Sequence, residues 1–229
     1  MKKLILVLVV LACATSAQAG PVVMNFEGIA PYPNNNDVLI QNYYNGGPAS
    51  NGNIGPSLGV TFDASALLIC LNTPGMTCSN TSRGGLGDPA SQLGALFFLT
   101  SDAITMDVAG GFDTGFSFNY VAINSPGSVN VYDGAGGTGN LLGSFNLPLT
   151  LSACGPDYNA GFCPFSPVGI EFAGTALSVV FAGVGNQIVF DDITFGSSTP
   201  GTTVPDAGSS MLLLGIGLAG LRAWKNRLG

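Results

Sequence analysis

Gly115-Phe116-Ser117-Phe118-Asn119-Tyr120-Val121 is the stretch that decides the fold. Aromatic side chains alternate in it with small polar ones, which is the period of two expected of a β-strand with one buried face. Similar short apolar runs, separated by Gly, Asn, Asp and Pro, recur along residues 20–196, whereas an amphipathic helix of ten or more residues does not occur. The predicted strands are Val22–Phe26, Gly59–Phe62, Leu67–Leu71, Ala95–Thr100, Ile104–Val108, Gly115–Val121, Val129–Tyr132, Leu141–Phe145, Val168–Phe172, Leu177–Phe181 and Gln187–Phe195.

Many short strands of this kind predict an all-β domain, an antiparallel β-sandwich or jelly roll. The segment Tyr132–Gly139, rich in glycine, is expected to connect two strands of a hairpin. The segment Ile29–Ser57 is rich in Asn, Pro, Gly and Tyr and is expected to be a long loop with few core residues.

Composition excludes several classes of function. Only 8% of the 229 residues are charged, and the net charge is −7. Between Gly20 and Thr203 a single basic residue, Arg83, stands against twelve acidic ones. Nucleic-acid binding needs clustered Lys and Arg, so nucleic acid is excluded as a partner.

The chain has no histidine, which removes Ser-His and Cys-His nucleophile pairs and His-ligated zinc. The only glutamates are Glu27 and Glu171, and nothing in the sequence brings them together as a glycosidase pair. We therefore expect a protein that is not an enzyme.

The first nineteen residues predict a secretory signal peptide, residues 1–19. Lys2 and Lys3 precede the apolar run Leu4–Ala12, and Ala17-Gln18-Ala19 has the small residues of a cleavage site. The mature chain is therefore expected to begin at Gly20, with a β-domain over residues 20–196.

The C-terminal end predicts a membrane-arrested tail. A small polar linker at residues 197–203 precedes residues 204–229, in which Val204-Pro205-Asp206-Ala207-Gly208 is followed by the apolar run Met211–Leu221. Basic residues then close the chain and are expected to stop transfer on the cytoplasmic side; they are Arg222, Lys225 and Arg227. The run predicts a single apolar helix that reaches only about 16 Å, half of a bilayer core.

This tail resembles the C-terminal sorting signal of the PEP-CTERM/exosortase system, particularly its VPDSG-type variant. The matching positions are Val204, Pro205, Asp206 and Gly208, with Ala207 in place of the serine of that variant. The resemblance implies an exosortase-type membrane transpeptidase as partner, cleavage near this motif, and delivery to the cell surface or the exopolysaccharide matrix. The short helix would then be a temporary membrane anchor.

Four cysteines remain after export, and an even number in an exported chain predicts disulfides. They are Cys70, Cys78, Cys154 and Cys163. Three pairings are open, and the local one would clip two loops rich in Gly and Pro. Metal-binding C-x-x-C pairs are missing.

The ends of the β-domain, Asn25-Phe26-Glu27-Gly28 and Phe190-Asp191-Asp192-Ile193, resemble those of carbohydrate-binding and galactose-binding-like jelly rolls. The resemblance implies that the first and last strands are neighbours and that a structural Ca²⁺ joins them, with Glu27 and Asp191 or Asp192 as ligands. Because side chains alternate along a strand, we expect only one of the two aspartates to be a ligand. The alternative is that Asp192 caps a turn or meets solvent and that Glu27 accepts backbone hydrogen bonds.

Tyr43 and Tyr44, in the long loop, are candidates for stacking on sugar rings. The alternative is that they pack the loop onto the sandwich. Taken together, the sequence predicts an exported structural or adhesive protein of the cell surface or extracellular matrix. The alternative function is a non-catalytic, lectin-like carbohydrate-binding module.

Overall fold

The computed structural model describes residues 20–32, 37–71, 91, 93–150 and 165–201. Twelve strands lie in these ranges, together with one 3₁₀ turn at Ala135–Gly137. The strands are β1 Val22–Met24, β2 Val38–Leu39, β3 Val60–Phe62, β4 Leu67–Cys70, β5 Gly94–Phe97, β6 Ala103–Phe112, β7 Gly115–Ala122, β8 Gly127–Tyr132, β9 Leu141–Leu147, β10 Ser166–Glu171, β11 Ala176–Ala182 and β12 Ile188–Phe195.

The prediction of an all-β fold is confirmed. Strands β10-β7-β12-β5-β4-β2 form one antiparallel sheet, to which β1 adds by pairing with β12. Strands β3-β6-β11-β8-β9 form a second antiparallel sheet. The eleven predicted strands all exist, with ends shifted by one to four residues, and only the two-residue β2 was not predicted.

The core lies between the two sheets and is built on the aromatic face of β7. Phe116, Phe118 and Tyr120 are all buried. The ring of Phe118 lies 5.1 Å from that of Phe145 on the other sheet and 5.6 Å from that of Phe190 on β12, centroid to centroid. The edge-on contact with Phe145 packs the two sheets against each other, and the contact with Phe190 joins neighbouring strands of one sheet.

The opposite face of β7 is not open to solvent, contrary to the expectation of one buried face. Ser117 is fully buried. Its hydroxyl donates to the Ser197 carbonyl at 3.0 Å, because residues 197–201 fold back over this face. The backbone of Ser198 passes so close to Gly169 on β10 that any side chain at that glycine would overlap it. We call residues 197–201 the C-terminal strap. They were predicted to be a linker, and the folded contacts instead continue to Gly201.

A second apolar cluster occupies the face of the seven-stranded sheet away from the main core. Its buried members come from four strands and the residue after β4, and they are Ile69, Leu71, Ala95, Phe97, Val121 and Val189. This sheet is therefore apolar on both faces along β4 and β5, which explains why these strands read as continuous apolar runs.

The glycine-rich segment connects β8 to β9, as predicted. Asp133 closes the turn: one carboxylate oxygen accepts from the Asn140 backbone amide at 2.6 Å and the other from the Asn140 side chain at 2.8 Å. These hydrogen bonds, the side-chain one foremost, lower the pKa of Asp133. The loop is thus fixed by one carboxylate that stays ionised.

No helix among the described residues is long and apolar enough to span a membrane. The signal peptide at 1–19 and the apolar run Met211–Leu221 lie outside the described residues, and both stay predictions.

The aromatic core gives a first prediction. Phe118→Ala removes a fully buried ring that contacts both sheets, and we expect the free energy of unfolding to fall by about 3–5 kcal/mol. Phe172→Ala is the matched control, because this ring is only half-buried, and its loss should cost clearly less. Chemical denaturation of both variants measures the difference, and equal losses would contradict this account of the core.

Candidate functional site

The first and last strands of the β-domain are neighbours, β1 pairing with β12, as the resemblance implied. Met24 lies opposite Ile193 in this antiparallel pair. On its other side β12 pairs with β7, and there Asp191 faces Asn119 whereas Thr194 faces Ser117. One extra residue is therefore inserted in β12, which makes a β-bulge.

The bulge places Asp191 and Asp192 on the same face of the sheet. Phe190 and Ile193 both belong to the main core, so the two residues between them both turn away from it. Asp192 has φ 47°, a left-handed conformation that is uncommon for a residue other than glycine. The expectation that the two aspartates face opposite sides is therefore wrong, because strand alternation does not hold across a bulge.

The two carboxylates are buried side by side, with 0% and 3% of Asp191 and Asp192 exposed. The Ser91 hydroxyl lies 3.1 Å from one oxygen of each carboxylate. The Asp192 amide donates to Asp191 at 2.7 Å, and the Asn119 side chain donates to Asp192 at 3.4 Å. A hydroxyl carries one hydrogen, so Ser91 can donate to only one carboxylate at a time.

Glu27 approaches this pair from the end of β1. Phe26, which precedes it, has φ 58°, and its backbone is held by two tyrosines. The Phe26 amide donates to the Tyr44 hydroxyl at 3.1 Å, and the Tyr32 hydroxyl donates to the Phe26 carbonyl at 2.7 Å. The buried Tyr44 and the half-buried Tyr32 thus fix a left-handed turn that directs Glu27 towards the β5 end.

The Glu27 carboxylate accepts from the Leu93 amide at 2.8 Å and from the Gly94 amide at 3.4 Å. Burial raises the pKa of Glu27, and the nearby charge of Asp192 raises it further, against the lowering effect of the two amides. Burial and the charges of Glu27 and Asp191 likewise raise the pKa of Tyr32. The alternative that Glu27 accepts backbone hydrogen bonds is therefore what the structure shows.

The described residues provide some of the groups that the predicted Ca²⁺ site requires. The groups around Asp191 and Asp192 offer hard oxygen donors, which Ca²⁺ prefers. In the described part of the chain, however, no group of three or more His, Cys, Asp or Glu residues is arranged to hold a metal. A Ca²⁺ site remains a proposal. Its ligands would be Asp191 and Asp192 together with neutral oxygens, since the Glu27 carboxylate already accepts hydrogen bonds from the amides at the start of β5.

Tyr43 and Tyr44 are buried, with 7% and 5% of each exposed. Their rings pack edge-on at 5.1 Å between centroids, and Tyr44 packs against Phe26 at 5.6 Å. The hypothesis that these rings stack on sugars is therefore wrong. They pack the long loop onto the sandwich, and that loop contributes further core residues, including Ile29 and Ile40.

Most of the remaining predicted site residues lie outside the described residues. These are the motif residues Val204, Pro205, Asp206 and Gly208, the basic residues Arg222, Lys225 and Arg227, and the cysteines Cys78, Cys154 and Cys163. Cys70 is described; it is buried and disulfide-bonded. The pairing of the four cysteines stays a prediction.

The outer face of the five-stranded sheet carries a polar surface that sequence reasoning did not single out. Cross-strand pairing aligns Thr105, Val180, Asn130 and Ser144 in one row. The Ser144 hydroxyl lies 2.7 Å from the Asn130 side-chain oxygen. Tyr132 lies in the next row, half-buried. We call these five residues the outer polar face.

Two features border the outer polar face. At one end the loop after Tyr132 folds over β11, where the Gly137 amide donates to the Ser178 hydroxyl at 2.9 Å. At the other end an open cleft of about 460 Å³ is lined by residues that include Ser128, Asn146 and Pro148. The alternation of Val129 and Val131 with polar residues was the only sequence signal for this face.

No model of a protein family matches the chain, and no curated protein does. Among solved structures, the chain is similar to a glycoside hydrolase family 43 arabinoxylan arabinofuranohydrolase from Bacillus subtilis, in complex with cellotetraose, with 19% identity over 59% of this chain and a TM-score of 0.35. The match spans 25% of that hydrolase. It is also similar to CBM29_1, a family 29 carbohydrate-binding module from Piromyces equi, with 13% identity over 62% of this chain and 91% of the module and a TM-score of 0.30. At these TM-scores neither likeness carries an argument about function.

The carboxylate pair gives a second prediction. If Ca²⁺ binds the native state at Asp191 and Asp192, millimolar Ca²⁺ raises the Tm of the full chain. The gain in stability is about 2.7 kcal/mol when Ca²⁺ reaches about 100 times its Kd. Differential scanning calorimetry with and without EGTA measures the shift.

Asp192→Asn should abolish most of this shift, whereas Asp102→Asn, which removes the same charge from an exposed loop, should leave it unchanged. A parallel titration with Mg²⁺ controls for ionic strength. A Tm that does not respond to Ca²⁺ would contradict the proposed cation site.

Proposed function

We propose that this chain is an exported, non-catalytic β-sandwich protein, displayed at the cell surface or in the extracellular polysaccharide matrix. Residues 204–229 arrest it at the membrane, and an exosortase-type transpeptidase then processes it at the motif from Val204 to Gly208. The observation that carries this proposal is that the described contacts of the sandwich continue almost to the motif. The Gly201 amide donates to the Thr194 hydroxyl at 3.0 Å, only three residues before Val204.

The C-terminal strap supports this division of the chain. Besides the bond from Ser117, the Ser198 hydroxyl donates to the exposed Glu171 carboxylate at 3.2 Å. The C-terminal strap is therefore part of the sandwich. Its residues, although rich in Ser, Thr, Pro and Gly, do not form a free linker.

Two further observations are consistent with export. The disulfide at Cys70 is typical of an oxidising compartment. The chain's low content of basic residues leaves the sandwich strongly acidic, which favours solubility among polysaccharides and divalent cations.

The sorting proposal predicts that Pro205→Ala with Asp206→Ala causes retention of the chain in the membrane. Mass spectrometry of the mature C-terminus in the native host should show a chain that ends within or near residues 204–208 for the wild type and an intact Gly229 for the variant.

A control variant, Asp102→Ala with Pro200→Ala, removes the same residue types outside the motif and should be processed normally. Surface-exposed wild-type protein that still carries Gly229 would contradict processing. Unchanged release of the motif variant would show that these residues are not recognised.

The second candidate function is non-catalytic carbohydrate binding, and the outer polar face is the observation that favours it. Asn130, Ser144 and Thr105 can donate and accept hydrogen bonds, and the aromatic ring of Tyr132 beside them offers a surface for a sugar ring. None of these side chains is charged, which suits a neutral glycan.

This candidate predicts that a glycan array identifies a ligand and that Tyr132→Ala weakens its binding at least tenfold, because sugar stacking is lost. Thr175→Ala, an exposed substitution in the loop before β11, is the control and should bind normally. EGTA in a parallel array separates direct binding from Ca²⁺-dependent binding. Failure to bind any glycan would remove this function and leave surface display untouched.

A further inference from the structure

Among the described residues, the two sheets have four terminal strands besides the three-residue β1, and three of these four are protected against pairing with another chain. An edge strand leaves backbone amides and carbonyls without strand partners, and proteins block such edges with charge, proline or short length. β10 contains Pro167 and Glu171. β2 has two residues and follows Asp37, and β3 has three residues and precedes Asp63.

The fourth edge, β9, has none of these protections within the strand, although Pro148 directly follows it. It runs for seven residues with the sequence Leu-Leu-Gly-Ser-Phe-Asn-Leu, without charge and without proline. No described strand lies beyond it in the five-stranded sheet. The neighbouring strand β8 also carries no charged residue. On a strongly acidic sandwich, β8 and β9 therefore form an uncharged strip at one edge.

Exposed leucines stand at both ends of β9. Leu141 is 55% exposed and Leu149, two residues past the strand, is 42% exposed. Only two other large apolar side chains are exposed among the described residues, Ile54 and Val184. Along the strand Ser144 and Asn146 are exposed as well, whereas Gly143 and Phe145 are buried.

We propose that β9 pairs with β9 of a second copy of this chain, in antiparallel orientation about a two-fold axis at Ser144. In this register Gly143 faces Phe145 of the second copy, so inward positions meet inward positions, and the two Ser144 side chains meet on the outer side. A strand of opposite direction also brings Leu141 beside the Leu147–Leu149 stretch of the other copy. The product is a continuous ten-stranded sheet.

Charge explains why a second copy fits this edge and no other. Two chains of net charge −7 repel each other, so a close contact is favourable only where neither surface carries charge. In an isologous pair the same surface of both copies meets, so the uncharged strip of one copy contacts the uncharged strip of the other. The contact combines backbone hydrogen bonds with burial of the exposed leucines.

Cysteine cross-linking of the full chain, purified in a mild detergent, tests the pairing. Opposed residues in an antiparallel pair have Cα atoms about 4.5–5.5 Å apart, which suits a disulfide. Ser144→Cys should therefore form a covalent dimer under mild oxidation, with the 144–144 linkage identified by peptide mapping. Asn130→Cys is the control: it lies opposite Ser144 on β8, where the two copies would be about 14 Å apart, and should stay uncross-linked.

Light scattering over a range of concentrations provides the second readout. The wild type should be dimeric, and Ser144→Lys or Asn146→Lys should weaken the dimer at least tenfold while the Tm stays within a few degrees. Ala109→Lys adds the same charge on exposed β6 of the same sheet and should leave the dimer intact. A wild type that is monomeric throughout, a dimer that survives both β9 lysines, or no 144–144 linkage would overturn the proposal. Association through the C-terminal tail is distinguished, because it would survive the β9 lysines.

Discussion

One inserted residue in β12 keeps Phe190 and Ile193 both in the core and thereby forces Asp191 and Asp192 out together. Burial of two adjacent carboxylates is costly unless a countercharge or a proton is shared between them. Strand β12 also pairs with β1, β5 and β7. The same short strand, the last of the β-domain, is therefore joined to the first strand and carries the acidic pair. The arrangement cannot be relaxed by moving one aspartate away, because the core positions on either side are fixed.

Three surfaces of the sandwich differ in cover and charge: the outer face of each sheet and the edge at β9. The seven-stranded sheet is covered over β7 and β10 by the C-terminal strap, whereas the outer polar face of the other sheet stays accessible. At the third surface, the β9 edge, the strand carries no charged side chain, although the protein as a whole is acidic. Glycan contact and self-association share Ser144, which belongs both to the outer polar face and to the proposed β9 pair, and a paired β9 would join two polar faces into one longer surface.

Much of the fold could be predicted because buried strands impose a period of two, as in Phe116, Phe118 and Tyr120. The bulge was missed because alternation was assumed to continue through Asp191 and Asp192. The spacing of three between the apolar residues Phe190 and Ile193 was the available signal. Packing of Tyr43 and Tyr44 onto the sandwich could be predicted only as an alternative to sugar binding, because they stand among turn-forming residues without any period. The tertiary hydrogen bonds that join the Phe26 backbone to Tyr44 and Tyr32 cannot be deduced from local sequence.

The strap has a mechanical consequence. The Gly201 amide is hydrogen-bonded to Thr194, and two residues separate Gly201 from Val204. The distance between the Cα atoms of Gly201 and Val204 is therefore at most about 10 Å. If the motif is processed as proposed, little chain would remain between the strap and the new C-terminus. The acidic pair lies near Gly201, so a cation bound there would sit beside the root of this short extension.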